Sequence, residues 1–426
     1  MGSEVRTVLI HSPCYELQDD RLEPPLGLLY LATWLHHHGY PAAVVDLSST
    51  LLPDGLQRIP PAAVYGFSTY TATYGRTLQI VSHLRAADPL ARMVAGGPHA
   101  TALPEEVERD FDHVVVGEGE RALLRIVKAI EAGQSVPRVL REPVIENLDS
   151  LPFPDYRLVD LKSYHRVVGG RRCVSVLTTR GCPYQCVFCN SVVMGHSEQV
   201  RFRSAQHVVA EIQELKHRWG IAAFRFQDDT FTLDASRIEV LTGLLRRENI
   251  LYRCFGRVDQ CSRRVTDQLY ASGCRHVAFG VESGSSQILE RMMKGHTVDE
   301  IRTGIANAKA SGLRVRVFLL VGFPGETWQT VQATVELMLE CLPHEFVVYP
   351  VIPYPGTALY RQPERFGITH VSRHFPDYFQ VAKGRRCGYV FRTADLDESK
   401  IEAMRKHVIS QLEPAIRWAG GSRNYC

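Results

Sequence analysis

No stretch of the chain stays apolar for the roughly 18 residues that a membrane-spanning helix needs, and the opening MGSEVRTVLIHSP lacks the basic start and apolar core of a signal peptide. A cytoplasmic protein with no membrane partner is expected. Charge of one sign is also scarce: 49 basic and 46 acidic residues leave a net +3, mixed along the chain. That gives no electrostatic footprint for nucleic acid, and a small-molecule substrate becomes the default. Internal repeats and low-complexity tracts are missing too. Hydrophobic residues at 45% and charged residues at 22% are ordinary for a folded protein, which excludes a disordered or fibrous class.

What is present is length and alternation. With 426 residues the chain is long enough for two well-buried domains. Over the first 130 or so residues apolar strands alternate with amphipathic helices, as in Val8 to Ile10, the helix from about Leu26 to His38, and Ala63 to Phe67. This pattern predicts a doubly wound parallel α/β sheet, whose ligands bind at the carboxyl ends of the strands. Proline-rich residues from about Glu142 to Asp155 read as a linker. A second series starts at Val174, with six strands ending at Phe346 to Val351: too few for a full eight-stranded barrel, suited to a partial one. The expected division is 1–140 as the first domain, 141–165 as linker, 166–360 as a partial (β/α)6 barrel, and 361–426 as a short tail. The tail closes on one helix, about Glu398 to Leu412, which Pro414 should end or kink.

Eleven cysteines in a reducing compartment do not suggest a disulfide framework. Three of them, Cys182, Cys186 and Cys189, stand at CxxxCxxC spacing in TTRGCPYQCVFCN, directly after an apolar strand. A structural zinc site would want four ligands, often as paired CxxC, and no second pair exists. Three thiolates on one loop can hold three irons of a cubane cluster and leave the fourth iron open to an outside ligand. The other cysteines have no CxxC spacing and read as inert thiols.

The motif, with Phe188 before its last cysteine, resembles the radical S-adenosylmethionine (SAM) superfamily, and the resemblance runs over roughly residues 170–360. It implies a 4Fe–4S cluster on the three cysteines and SAM on the open iron. A reduced cluster then cleaves SAM to methionine and a deoxyadenosyl radical, with electrons from an external donor such as a flavodoxin, a ferredoxin or an NADPH-linked reductase. Further segments match residue by residue. Gln227, Asp228 and Asp229 resemble the position that contacts the methionyl amino group, and Glu282 and Ser283 the one that contacts ribose and carboxylate. Gly322 and Glu326 resemble the segment near adenine, and Val351 occupies the sixth-strand position. Each has a plain structural reading as well, since Asp228 or Glu326 could cap a helix and the glycines could make turns.

Ahead of this, Glu23 to Ala32, Ala95 to Ala100 and Val116 to Glu120 resemble the cobalamin-binding domain fused to many such enzymes. Ser68, Gly96, Gly97, Gly117, Glu118 and Gly119, at strand ends, are the implied contacts. The DxHxxG motif of classical cobalamin domains is absent, which in this subclass decides nothing. His99 lies on a strand-end loop, where an ordinary polar contact is the expected role. Tyr354, Tyr360, Arg385 and Arg386 are candidates for pocket walls. The resemblance implies a radical SAM enzyme of small-molecule, antibiotic-type biosynthesis, foremost a cobalamin-dependent C-methylase. A cobalamin-free dehydratase or deoxygenase of an aminoglycoside-type diol is the alternative. A non-enzymatic iron–sulfur redox protein is the other class, and it would leave Asp228, Glu282 and Glu326 unused.

Overall fold

The first alternating series folds into a six-stranded, wholly parallel sheet, seen in a computed structural model that describes residues 6–17, 19–194, 199–380, 387–418 and 422–423. Its strands are β1 (Thr7–His11), β2 (Ala42–Asp46), β3 (Val64–Ser68), β4 (Arg92–Gly96), β5 (His113–Val115) and β6 (Val139–Leu140), in the order β2-β1-β3-β4-β5-β6. Successive side chains point to opposite faces, so each face takes alternate residues. Leu9, Val64, Val94 and Val115 pack with Leu28, Leu35, Leu123 and Val127 of the helices Leu26–His37 and Glu120–Glu131. Val8, Ile10, Tyr65 and Met93 pack on the other side with Ile80 and Leu84 of the helix Tyr74–Ala87. Burial on both faces is why these strands read as near-continuous apolar runs. β6, two residues long, carries no periodic signal and is missing from the sequence reading. The strand order reverses between β1 and β3, which opens a crevice at their carboxyl ends.

The second series forms an eight-stranded open sheet, curled into a half-barrel. Its strands are β7 (Val167–Val168), β8 (Arg171–Val176), β11 (Ala223–Phe226), β12 (Leu251–Gly256), β13 (Cys274–Glu282), β14 (Arg314–Val321), β15 (Glu345–Pro350) and β18 (Ser422–Arg423). The order is β18-β15-β14-β13-β12-β11-β8-β7, parallel except for the β7–β8 pair. β8 and β11 to β15 are the six strands read from the sequence. Two short antiparallel pairs lie apart: β9 (Thr179–Arg180) with β10 (Arg201–Phe202), and β16 (Ile368–Val371) with β17 (Phe391–Thr393).

The helices on the outer face have definite ends. Ala205–Trp219 starts with the Ser204 hydroxyl accepting from the His207 N–H and stops at Gly220 in the left-handed region (φ +64). Val298–Ala310 opens with a reciprocal Thr297 and Glu300 box. The C-terminal helix differs from the expectation, running from Glu398 to Trp418 straight through Pro414. Ile401, Met404, Val408, Leu412 and Ile416 are buried in the barrel core, and this continuous apolar stripe outweighs the one backbone hydrogen bond that the proline removes.

Candidate functional site

β8 ends at Val176, and five residues later Gly181 (φ +107) turns the chain into the loop of Cys182, Cys186 and Cys189, all free thiols. Backbone hydrogen bonds pin this loop from three directions. The Cys189 N–H donates to the Cys186 carbonyl (3.1 Å), the Val187 N–H to Met292 (3.1 Å), and the Leu359 N–H to Val187 (3.2 Å). The Arg257 guanidinium lies 3.4 Å from the Tyr184 ring centroid and donates to the Lys294 carbonyl at 2.9 Å. Lys294 Nζ stands 5.8 Å from the Phe188 centroid and pairs with Glu282 at 2.8 Å. Burial pushes the Cys186 thiol up to about 11, with Lys294 acting in the opposite sense. Among the described residues no three ligating side chains converge on one point. Three free thiols on one loop suit a cubane, which takes each thiolate on its own iron.

The strand ends sort into two groups. Gln227 and Asp229 are exposed to the cavity described below, and the Ser191 hydroxyl donates to Asp229 Oδ1 at 2.7 Å. Asp228, between them, turns the other way and is buried. Its carboxylate accepts the N–H groups of Thr178 (2.6 Å) and Thr179 (2.9 Å) and the Thr178 hydroxyl. This corrects the expected contact with a methionyl amino group: in an extended segment neighbours face opposite sides, so only the residues flanking Asp228 reach the cavity. Asp228 instead holds the strand that leads into the cysteine loop.

Other expected contacts meet protein as well. Glu282, in the left-handed region (φ +67) at a bulge of β13, gives its carboxylate to Lys294. Gly280 makes room for that pair, since a Cβ there would stand 2.9 Å from Lys294 Nζ. The Ser283 hydroxyl accepts from the Ser285 N–H at 3.1 Å and lies 3.3 Å from Thr334 Oγ1. Glu326 accepts from the Gly322 N–H at 2.5 Å, and burial pushes its carboxyl up to about 8. Gly322 lies under Ile401 of the C-terminal helix, and Val351 is buried in the core with its N–H on the Val321 carbonyl (2.9 Å). The C-terminal helix covers this end of β14, a packing relation with no local sequence signal.

A cavity of about 450 Å³ joins the two sheets. Its N-terminal wall is the carboxyl end of β3, β4 and β5: Ser68, Gly96, Gly97, Gly117 and Gly119, with apolar depth from Leu9, Phe67, Val94 and Val115. Its other wall is Leu177, Thr179 and Arg180 ahead of the cysteine loop, Asn190, Ser191 and Met194 after it, and Gln227 and Asp229. Gly117 (φ +85) has open space where a Cβ would be, so the backbone itself forms the surface. No histidine is among the described residues that line the cavity. His99 is buried outside it, 3.1 Å from the Thr71 hydroxyl and packed on Tyr74 and Phe375, and burial lowers its pKa to about 4. The walls suit a large flat cofactor held without a protein ligand beneath it. Tyr354 and Tyr360 pack against the apolar core beyond the N-terminal sheet and do not line the cavity. Arg385 and Arg386 lie outside the described residues.

Glu118 differs from its expected role. It borders the cavity, but its carboxylate is bound by Arg201 (2.7 Å), Arg180 (3.2 Å) and the Ile145 N–H (2.8 Å). Burial alone would raise its pKa; these three partners hold it down to about 2. Arg180 also pairs with Glu120 at 2.6 Å. Arg180 directly precedes Gly181-Cys182, so this buried ion cluster ties the N-terminal strand ends to the root of the cysteine loop. The sequence reading missed Arg180, whose place next to the motif is the one signal it carries. Arg180→Ala is expected to cost about 3 kcal/mol, because it takes from the buried Glu120 its arginine partner and leaves Glu118 with Arg201 and the Ile145 N–H alone. Arg180→Lys should recover part of that loss in the midpoint of thermal unfolding.

Comparison with known proteins agrees with both halves. Residues 176–338 match the Radical SAM superfamily and residues 21–127 the B12 binding domain. An uncharacterized methyltransferase of Pyrococcus horikoshii is 30% identical over 362 residues, 79% of this chain and 78% of that one. The anaerobic magnesium-protoporphyrin IX monomethyl ester cyclase of Rubrivivax gelatinosus is 25% identical over 372 residues, 80% of this chain and 66% of that one. In fold, the chain is similar to the radical SAM methyltransferase TsrM of Kitasatospora setae, solved with cobalamin and a 4Fe–4S cluster. The TM-score is 0.72 at 18% identity, over 97% of this chain and 89% of that one. This chain belongs to the radical SAM enzymes that carry an N-terminal B12-binding domain, a family built around a 4Fe–4S cluster and SAM.

Proposed function

We propose that the chain is a cobalamin-dependent radical SAM methylase acting on an unactivated carbon of a small molecule. The observation that carries this reading is the single cavity shared by glycine-edged strand ends on one side and the root of the cysteine loop on the other. When bound, the cluster with SAM supplies radical chemistry, and cobalamin supplies a transferable methyl group. Cys182, Cys186 and Cys189 would hold the cluster, while Asp228 and Arg180 fix the loop that carries them. Gln227 and Asp229 face the cavity and are the groups placed to bind SAM or substrate. Gly96, Gly97, Gly117 and Gly119 leave a flat wall, and Leu9, Phe67, Val94 and Val115 keep water out of its depth. An external electron donor would be required. The methyltransferase name of the Pyrococcus relative supports the reading.

The test is cobalamin uptake and SAM turnover by anaerobically purified protein. Gly117→Leu is expected to abolish cobalamin retention and leave iron content unchanged, because the new side chain enters the cavity. Gly170→Leu is the control: its φ is +74 with open space around it, so it reports backbone strain, about 1 kcal/mol, without touching the cavity. SAM turnover by wild-type protein that never takes up cobalamin overturns the methylase reading in favour of a cobalamin-free dehydratase or deoxygenase.

A further inference from the structure

The CxxxCxxC motif carries one aromatic residue in each gap: Tyr184 between Cys182 and Cys186, and Phe188 between Cys186 and Cys189. The structure sets a buried cation against each ring. The Arg257 guanidinium lies 3.4 Å from the Tyr184 centroid, and Lys294 Nζ lies 5.8 Å from the Phe188 centroid. Arg257 directly follows β12, and Lys294 lies between the helices Ser286–Arg291 and Val298–Ala310. They meet beside the loop, where Arg257 donates to the Lys294 carbonyl (2.9 Å) and the Met292 carbonyl accepts from Val187 (3.1 Å). Arg257 is 6% exposed and Lys294 8%, and neither lines the cavity between the sheets. The cavity therefore does not explain two buried charges next to the cysteines.

Buried cations are costly without an offsetting anion. Arg257 pairs with Asp259 at 3.0 Å and Lys294 with Glu282 at 2.8 Å. These pairs balance the charge in number, but at the Cys186 thiol Lys294 and Arg257 each act more strongly than Glu282. His296 adds no charge of its own, because burial and the same two cations lower its pKa to about 3. From Cys182 to Cys189 the chain has no charged side chain. The potential of an iron–sulfur cluster follows the charge, hydrogen bonds and solvent exposure around it. A cluster on three thiolates gains negative charge on reduction, so a buried cation close by stabilises the reduced form more than the oxidised one.

We propose that Lys294 and Arg257 are positioning residues that set the reduction potential of the cluster, raising it through positive charge held against the aromatic residue in each gap of the cysteine loop. The proposal rests on Cys182, Cys186 and Cys189 holding a 4Fe–4S cluster and on nothing about methyl transfer. Wild-type protein that takes up no cluster overturns that assignment and this proposal together. A full cluster whose potential ignores the cations overturns this proposal alone.

The test is the midpoint potential of the cluster in the anaerobic protein, titrated under electron paramagnetic resonance without SAM or cobalamin. Lys294→Gln is expected to lower the equilibrium constant for one-electron reduction about tenfold, which moves the midpoint about 59 mV more negative, at unchanged iron content. Arg257→Gln should move it in the same direction. Lys294→Gln leaves Glu282 buried without its ammonium. If that variant loses iron, the double variant Lys294→Gln/Glu282→Gln strands no charge and decides the matter, again by a more negative midpoint. Lys309→Gln is the control. Its ammonium sits at the other end of the helix Val298–Ala310, on the Cys341 and Leu342 carbonyls (2.8 Å each), and its loss should leave the potential in place. An unchanged or more positive midpoint in the iron-loaded Lys294 variant, or a fall of equal size in Lys309→Gln, overturns the proposal.

Discussion

Cys186→Ala is expected to leave a folded protein that holds no intact cluster and cleaves SAM at background rate. Cys186 is buried at the centre of a loop pinned by Val187 on both its N–H and its carbonyl, so the thiol position is set by backbone that the substitution does not touch. Among the described residues no cysteine besides Cys182, Cys186 and Cys189 lies on this loop. Cys254 and Cys274 stand 4.0 Å apart in the barrel core on the helix side, and Cys261 is buried in the same core. A three-thiolate site loses one iron's anchor and with it the differentiated fourth iron. Cys341→Ala, at a half-buried thiol of the helix Trp328–Cys341, is the control and should keep the cluster. Iron and sulfide content with the visible spectrum of anaerobic protein check this. Full cluster occupancy in Cys186→Ala would remove the assignment of the three cysteines.

The second large effect is expected at Asp228. The sequence reading implies that Asp228→Ala weakens SAM binding and spares the cluster. The structure implies otherwise. The substitution leaves two buried N–H groups of Thr178 and Thr179 without an acceptor and removes the carboxylate beside Arg237. Loss of one partner from such a buried charged network costs about 3–5 kcal/mol, a large part of the 5–15 kcal/mol that typically separates folded from unfolded protein. Thr178 and Thr179 lie three to four residues before Cys182, so the loop loses its anchor as well. Asp228→Ala should therefore lower both the unfolding midpoint and the cluster content. Asp228→Asn keeps one acceptor oxygen and should lose less of each. A variant Asp228→Ala with normal stability and cluster content, but weak SAM binding, would restore the direct-contact role.

Neighbouring residues at one strand end show why the two readings part. Gln227, Asp228 and Asp229 are equally good polar candidates in the sequence, and alternation about the chain decides that the outer two face the cavity and the middle one faces the loop behind it. Glu118 and Glu326 follow the same logic: a carboxylate in a glycine-rich strand end suggests a ligand contact. Whether it meets a ligand, two arginines or its own turn depends on elements far away in sequence, here Arg180 and Arg201 for Glu118 and the Gly322 turn for Glu326.

The sequence alone determined the two alternating α/β series, the open barrel of six parallel strands and the CxxxCxxC loop after its first strand. These are local properties: side-chain period, turn residues and ligand spacing act over a few residues, and the chain carries them wherever it folds. The tertiary structure decided what the strand ends touch. It brought Arg180 to Glu118 and Glu120, laid Ile401 over Gly322, and opened one cavity between two sheets. Those relations join residues tens to hundreds of positions apart. They follow from how twisted sheets and covering helices pack, which no local pattern in the chain records.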